Sequence, residues 1–131
     1  MKKDIEIPVV KDVYVAMLYE WNDDFRSKEW NAYLINDGSF PIEMVFVVSK
    51  GYHGDIKTAT MRHRMEALES KSYQKLEFVL KEVLDLNNEF YVTYYLHGQL
   101  YEKRFIFKKE SISEKNLTQI PLLKIKGILA R

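Results

Sequence analysis

The chain has 131 residues, 47% apolar and 30% charged, with twenty basic against nineteen acidic side chains and a formal charge of +1. That length suits one domain burying roughly two-thirds of its unfolded surface, and the balance lacks the marked basic excess of most nucleic-acid binders, a local patch aside. The absence of cysteine excludes disulfides, thiolate zinc sites and cysteine nucleophiles.

No apolar run approaches the ~18 residues of a membrane span. The start, Met1-Lys2-Lys3-Asp4-Ile5-Glu6, has no apolar stretch behind its basic residues, so the expectation is a soluble cytoplasmic protein with no membrane partner.

Period-two patterns dominate in chain order. From Asp12 to Trp21 one face carries Val13, Val15, Met17, Tyr19 and Trp21, and the other carries Tyr14, Ala16 and Leu18 before Glu20. A strand apolar on both sides needs two covers: a second sheet, and a helix, tail or partner subunit. Asn22-Asp23-Asp24 is a turn cluster, and Asp24 or Ser27 is placed to cap a single helical turn before the next run. Trp30 to Ile35 reads as a short strand ending at the turn Asn36-Asp37-Gly38-Ser39. Ile42 to Ser49 reads as a largely buried strand, with Met44, Phe46 and Val48 against Glu43, Val45 and Val47.

After the Gly51 to Asp55 loop, Lys57 to Ala67 alternates as a half-exposed strand. Ala59, Met61, His63, Met65 and Ala67 face one way, and Thr58, Thr60, Arg62, Arg64 and Glu66 the other. Tyr73 to Leu86 fits both periods. A strand over Gln74 to Leu80 followed by a helical turn over Lys81 to Leu86 is the favoured reading. Phe90 to Leu96 and Leu100 to Lys108 flank Gly98 as a hairpin. Its first arm is apolar on both faces and belongs inside a sheet. Its second arm, with Glu102, Arg104 and Lys108 on one side, belongs at an edge or against solvent. Beyond Ser113 an extended tail, about residues 114–131, carries Ile120-Pro121-Leu122-Leu123 and Gly127-Ile128-Leu129, apolar enough to dock on the body.

About seven or eight short strands with turn signals every 8–12 residues predict an all-β, single-domain antiparallel β-sandwich over residues 1–131. The alternative is a half-open barrel with one packed helix from the Tyr73 to Leu86 region.

Chemistry is sparsely signalled. His53 lies near Asp55 in a glycine-bracketed loop, and His97 sits at the hairpin turn. His63 falls between Arg62 and Arg64, which are two residues apart on one strand face, about 7 Å, a spacing that suits a phosphate or carboxylate. Arg62, His63 and Arg64 therefore form a candidate anion site. The competing reading is a hydrogen-bonded boundary histidine flanked by arginines that pair with glutamates.

No nucleophile elbow, phosphate loop, dinucleotide fingerprint or zinc motif is present, and Asp23, Asp24 and Glu29 form no assignable acid–base pair. No cofactor or metal is expected, and the reading leans away from an enzyme, although catalytic groups can converge from distant strands. Nine tyrosines, seven phenylalanines and two tryptophans exceed the needs of a small core. Tyr91, Tyr95 and Tyr101 are expected to share a sheet face, as a core cluster or as an interaction surface for an unidentified protein partner or a homodimer. A stacking platform for nucleic acid is weakened by the balanced charge. The functional expectation is a non-enzymatic binding or self-association module. The alternative is a small anion-binding or accessory protein using Arg62 and Arg64.

The runs Asp4-Ile5-Glu6-Ile7-Pro8, Asp12 to Ala16, Trp30 to Asn36, Lys57 to His63, Leu86 to Phe90 and Gly127-Ile128-Leu129 resemble a family of small uncharacterised bacterial proteins. Some members carry a phenylalanyl-tRNA synthetase label, which implies at most a tRNA- or synthetase-associated accessory role. The residues do not carry the activity itself. Phe25-Arg26-Ser27-Lys28-Glu29 has one residue too many for the Phe-Arg-x-Glu ATP motif of class II synthetases, and no Gly-x-Gly occurs.

Overall fold

The computed structural model describes residues 8–131, so the Met1–Glu6 start and the Asp4–Ile7 part of the first resemblance run lie outside the described residues. Ten strands are formed: β1 (Val13–Asn22), β2 (Ser27–Asn36), β3 (Ile42–His53), β4 (Ile56–Lys57), β5 (Met61–Leu68), β6 (Ser72–Val79), β7 (Asn87–Leu96), β8 (Gln99–Phe107), β9 (Thr118–Gln119) and β10 (Lys126–Leu129). The first sheet runs β6-β2-β1-β10-β9, and the second runs β4-β3-β7-β8 with β5 also on β3. Every pairing is antiparallel. This is the all-β sandwich that the alternation predicts, with the two-residue β4 and β9 raising the strand count.

The barrel with a packed helix is not formed. Tyr73 to Leu86 contains β6 and then a 3₁₀ turn, Lys81–Asp85. The buried Asn88 side chain holds that turn by donating to the carbonyls of Val83 (2.9 Å) and Leu86 (3.0 Å).

Three local readings need correction. A single turn does follow Asn22, closed by the Arg26 amide donating to the Asn22 carbonyl (2.8 Å), but its cap is Asn22 and not Asp24 or Ser27: Asn22 Oδ1 accepts from the amides of Asp24 (2.9 Å) and Phe25 (3.1 Å). The strand read from Lys57 to Ala67 is interrupted. Thr58 folds back on Gly51, donating to its carbonyl (2.9 Å) and accepting from its amide (2.8 Å), and the chain re-enters the sheet at Met61. Finally, β3 is buried on one face only: Val45 and Val47 are inside while Met44 and Phe46 are exposed. Met44 has φ 49° and the pairing with β7 shifts register between Glu43 and Phe46, a bulge that turns its side chain outward.

The core lies between the sheets, where Val15, Met17, Ala32 and Leu34 meet Val45, Val47, Phe90, Val92, Phe105 and Phe107. A second, smaller cluster lies on the far side of the first sheet, where Ala16, Leu18 and Ile35 are covered by Ile120 with Leu123 and Leu129. The tail that carries these residues supplies β9 and β10, and β10 pairs β1 through Ala16↔Leu129, Met17↔Ile128 and Leu18↔Gly127. It then crosses between the sheets, since the Ala130 amide donates to Val15 (3.0 Å) and Arg131 exchanges backbone hydrogen bonds with Ile106 of β8 (3.1 and 3.2 Å). At the opposite seam the buried Asn36 amide donates to the carbonyls of Phe40 (3.0 Å), Leu68 (3.1 Å) and Glu69 (3.0 Å). Among the described residues no helix is long and apolar enough to cross a membrane.

At Gly127 the tail leaves no room for a side chain against β1: a Cβ there would stand 2.5 Å from the Met17 carbonyl oxygen and 2.8 Å from Leu18 Cδ2. Gly127→Ala is therefore expected to lower stability by about 1–3 kcal/mol, the usual range for forced overpacking. Chemical denaturation checks this, and a variant as stable as the parent would contradict the close packing of the tail.

Candidate functional site: the open face of the second sheet

Cross-strand register places the surface residues. Val47 opposes both His63 and Val92 and is buried, so the residues alternating with this row point away from the first sheet. Four rows result on that outer face. Tyr95 and Leu100 form the first, joined by the exposed Glu43 and Ala67, which the β3 bulge takes out of the alternation that would set Ala67 on the His63 side, and Arg64, Phe46, Thr93 and Glu102 form the second. Arg62, Val48, Tyr91 and Arg104 form the third, and Lys50, Glu89 and Ile106 the fourth. Arg62 and Arg64 thus share a face with Tyr91 and Tyr95.

Unlike the outer face of the first sheet, this face has no described segment lying over it. Met44 is 59%, Phe46 45% and Leu100 46% exposed, and Arg62, Arg64, Glu102 and Arg104 are exposed as well.

Its charges are partly satisfied within the sheet. Glu89 lies between Lys50 (3.9 Å) and Arg104 (3.5 Å). The Tyr91 hydroxyl donates to Glu102, and this bond, more than the slight burial, raises the tyrosine's pKa. Among the described residues neither Arg62 nor Arg64 has a carboxylate within 4.0 Å. The Arg64 guanidinium instead lies 5.9 Å from the Phe46 ring centroid, a cation–π arrangement that keeps the charge exposed.

Two of the sequence-derived site residues face the other way. His63, opposite Val47, turns toward the first sheet, so it does not join Arg62 and Arg64 in one anion site. Its Nε2 lies 2.6 Å from Glu77 Oε1 on β6, and Ser49 Oγ donates to the same oxygen at 2.8 Å. With both groups on one carboxylate oxygen, the Ser49 proton is directed to Glu77 and not to the imidazole.

Tyr101 opposes Tyr94 and also points inward, its ring stacked on Tyr94 at 5.3 Å and 4°. The expectation that Tyr91, Tyr95 and Tyr101 share one face is therefore corrected for Tyr101. The two-residue turn His97-Gly98, with φ of 52° and 77°, pairs Leu96 with Gln99 and so fixes that parity.

His97 packs edge-on against Phe40 at 4.5 Å, and His53 and Asp55 are exposed. Among the described residues no group of three or more His, Cys, Asp or Glu could hold a metal ion. Sequence reading missed Phe46 as a surface residue, and it missed Glu77, whose partners lie on two other strands.

Burial, with Tyr101 and Asp12 nearby, pushes the Tyr94 phenol up to about 12. Burial and the hydrogen bond to Glu20 likewise raise Tyr33. An unfolded tyrosine ionises near 10, so above that pH the unfolded chain binds fewer protons than the folded one, and stability falls as pH rises from about 10 to about 12. Tyr94→Phe removes one such group. Its stability is expected to fall less steeply over that window, by about 1.4 kcal/mol per pH unit, as measured by denaturation at pH 8 to 11. Parallel profiles for the two proteins would contradict the placement of the phenol.

Comparison with known proteins finds no family model, no curated protein and no solved structure that matches this chain, so the surface and seam geometry carries the functional reading.

Proposed function

We propose that the chain is a non-catalytic self-association module in which the outer face of the second sheet packs on the same face of a second copy. The observation that carries this reading is the second row, which runs from Arg64 at one edge through exposed Phe46 and Thr93 to Glu102 at the other. A two-fold axis lying in the interface along the strands sets Arg64 over Glu102 of the second copy, and its mirror contact over the first. Such self-complementarity is what a closed isologous dimer requires.

The same operation sets Lys50 over Glu89 and the apolar Val48 over Tyr91. One pair is unfavourable, Arg62 over Arg104, and Glu89 at 3.5 Å from Arg104 softens it. Edge-to-edge pairing is the competing geometry. Edge strand β8 opposes it with an inward-side charge, because Lys103 pairs with Val92 and lies 4.8 Å over the Phe105 ring.

Area sets the strength. Four strands at ~4.8 Å and about eight residues at ~3.4 Å span about 500 Å² per protomer, or about 1,000 Å² in total. That is the low end for a specific interface and fits a micromolar dimer better than an obligate one.

Sedimentation velocity tests this. The protein is expected to dimerise by about 100 µM and to dissociate at low micromolar concentration. Arg64→Glu and Glu102→Arg should each weaken association roughly tenfold, and the double swap should restore it. A monomer at several hundred micromolar would overturn the proposal, as would charge swaps without effect. A monomer that binds single-stranded RNA with a steep salt dependence would overturn it in favour of anion binding through Arg62 and Arg64.

A further inference from the structure

The seam between β6 and the β3/β5 side of the second sheet holds a cavity of about 230 Å³ whose lining includes Gly51, Met61, Leu80, Val83, Ser49 and Glu77. Its walls are largely apolar, and among the described residues that line it the one ionisable side chain turned toward the space between the sheets is Glu77, opposite the fully buried Ala32. Lys50 also borders the cavity, but its side chain belongs to the outer face, with Nζ 3.9 Å from Glu89 and 6.0 Å over the Tyr52 ring.

The Glu77 side chain is only 13% exposed. Ser49 and His63 both bond Oε1, and among the described residues no hydrogen bond reaches Oε2. No lysine or arginine of the described residues lies within 4.0 Å of either oxygen.

From this geometry we infer that the cavity is a binding site for a small aliphatic ammonium ion, independent of the self-association face. A carboxylate offers only acceptor oxygens, so it selects donors over acceptors. Removed from most of its water and lacking a permanent cationic partner, it gains most from a ligand that brings both a positive charge and N–H donors. An anion would meet a carboxylate with no lysine or arginine beside it among the described residues, and a neutral alcohol would supply one hydrogen bond and no charge.

The apolar walls take the hydrocarbon part. At ~30 Å³ per water-sized group, the cavity holds about eight such groups, room for an ammonium with an alkyl chain of about four to six carbons. Ser49 and His63 act as positioning residues. By occupying Oε1 they fix the carboxylate plane and leave Oε2 as the docking point. Leu80, 52% exposed, stands at the rim.

The probe is n-butylammonium chloride, titrated into the ¹⁵N-labelled full chain at constant ionic strength, with n-butanol and sodium butyrate as matched controls. Saturable amide shifts are expected at Gly51, Met61, Leu80 and Glu77 with a dissociation constant of about millimolar, the range open to so small a ligand. Butanol and butyrate should bind at least about tenfold more weakly, the factor expected for losing one charged hydrogen bond.

Glu77→Gln, which keeps the shape and the Ser49 contact, should lower affinity at least about tenfold. Leu80→Trp should block the cavity with the carboxylate intact. Equal shifts with butanol would overturn the inference, as would undiminished binding to Glu77→Gln or shifts confined to surface acidic residues. If Glu77→Gln fails to fold, the three-probe comparison on the unaltered chain decides alone.

Discussion

The structure depends on the double apolarity of β1. Val15, Ala16 and Met17 are all fully buried although adjacent residues point to opposite faces. Such a strand is stable only with cover on both sides, and each cover sets a further feature. The second sheet takes Val15 and Met17. The tail takes Ala16 and Leu18 through Ile120, Leu123 and Leu129, and its path past Gly127 is close enough to exclude a side chain there. Alternation within β10 then does double duty: Ile128 enters the main core and Leu129 the outer cluster, before Arg131 ties the chain to β8.

This leaves the two sheets unequal. The tail covers the outer face of the first, and the second keeps Phe46, Leu100 and Met44 open beside Arg62 and Arg64. An exposed face mixing aromatic side chains with arginine has the composition of an interface centre. At the other seam the sandwich closes on Glu77, a carboxylate among apolar neighbours. Its burial is tolerable because Ser49 and His63 both meet it, from β3 and β5 of the opposing sheet. One group thereby joins the sheets and furnishes the polar point of the adjoining cavity.

The fold class is legible in the sequence because alternation is local. Leu76 and Phe78 against the polar Lys75 and Glu77 mark β6, and Lys81 to Leu86 marks the turn after it. The interior position of β7 follows from Phe90, Val92 and Tyr94 on one face and Tyr91 and Tyr95 on the other. What alternation cannot supply is which face is covered. Met44 and Phe46 read as core because β3 is continuously apolar from Met44 to Val48, and only the bulge and the lack of cover from any described segment make them surface. The parity of Tyr101 was available from the length of the His97-Gly98 turn. The inward turn of His63 was available too, from its place between Met61 and Met65 on the face opposite Arg62 and Arg64; its partner Glu77 was not, because it lies on another sheet, fourteen residues away. The candidate site was thus half legible. Arg62, Arg64, Tyr91 and Tyr95 converge on one face, but the reason they converge is topological.

The central claim is that this open face meets its own copy. The most direct measurement is an isotope-filtered NOE experiment on a mixture of labelled and unlabelled chain at a concentration of about 500 µM, well above a micromolar dissociation constant. The account predicts cross-copy NOEs from Val48 methyl protons to the Tyr91 ring and from the Phe46 ring to the Thr93 methyl. Cross-copy NOEs confined to the β8 edge, or none at that concentration, would contradict it.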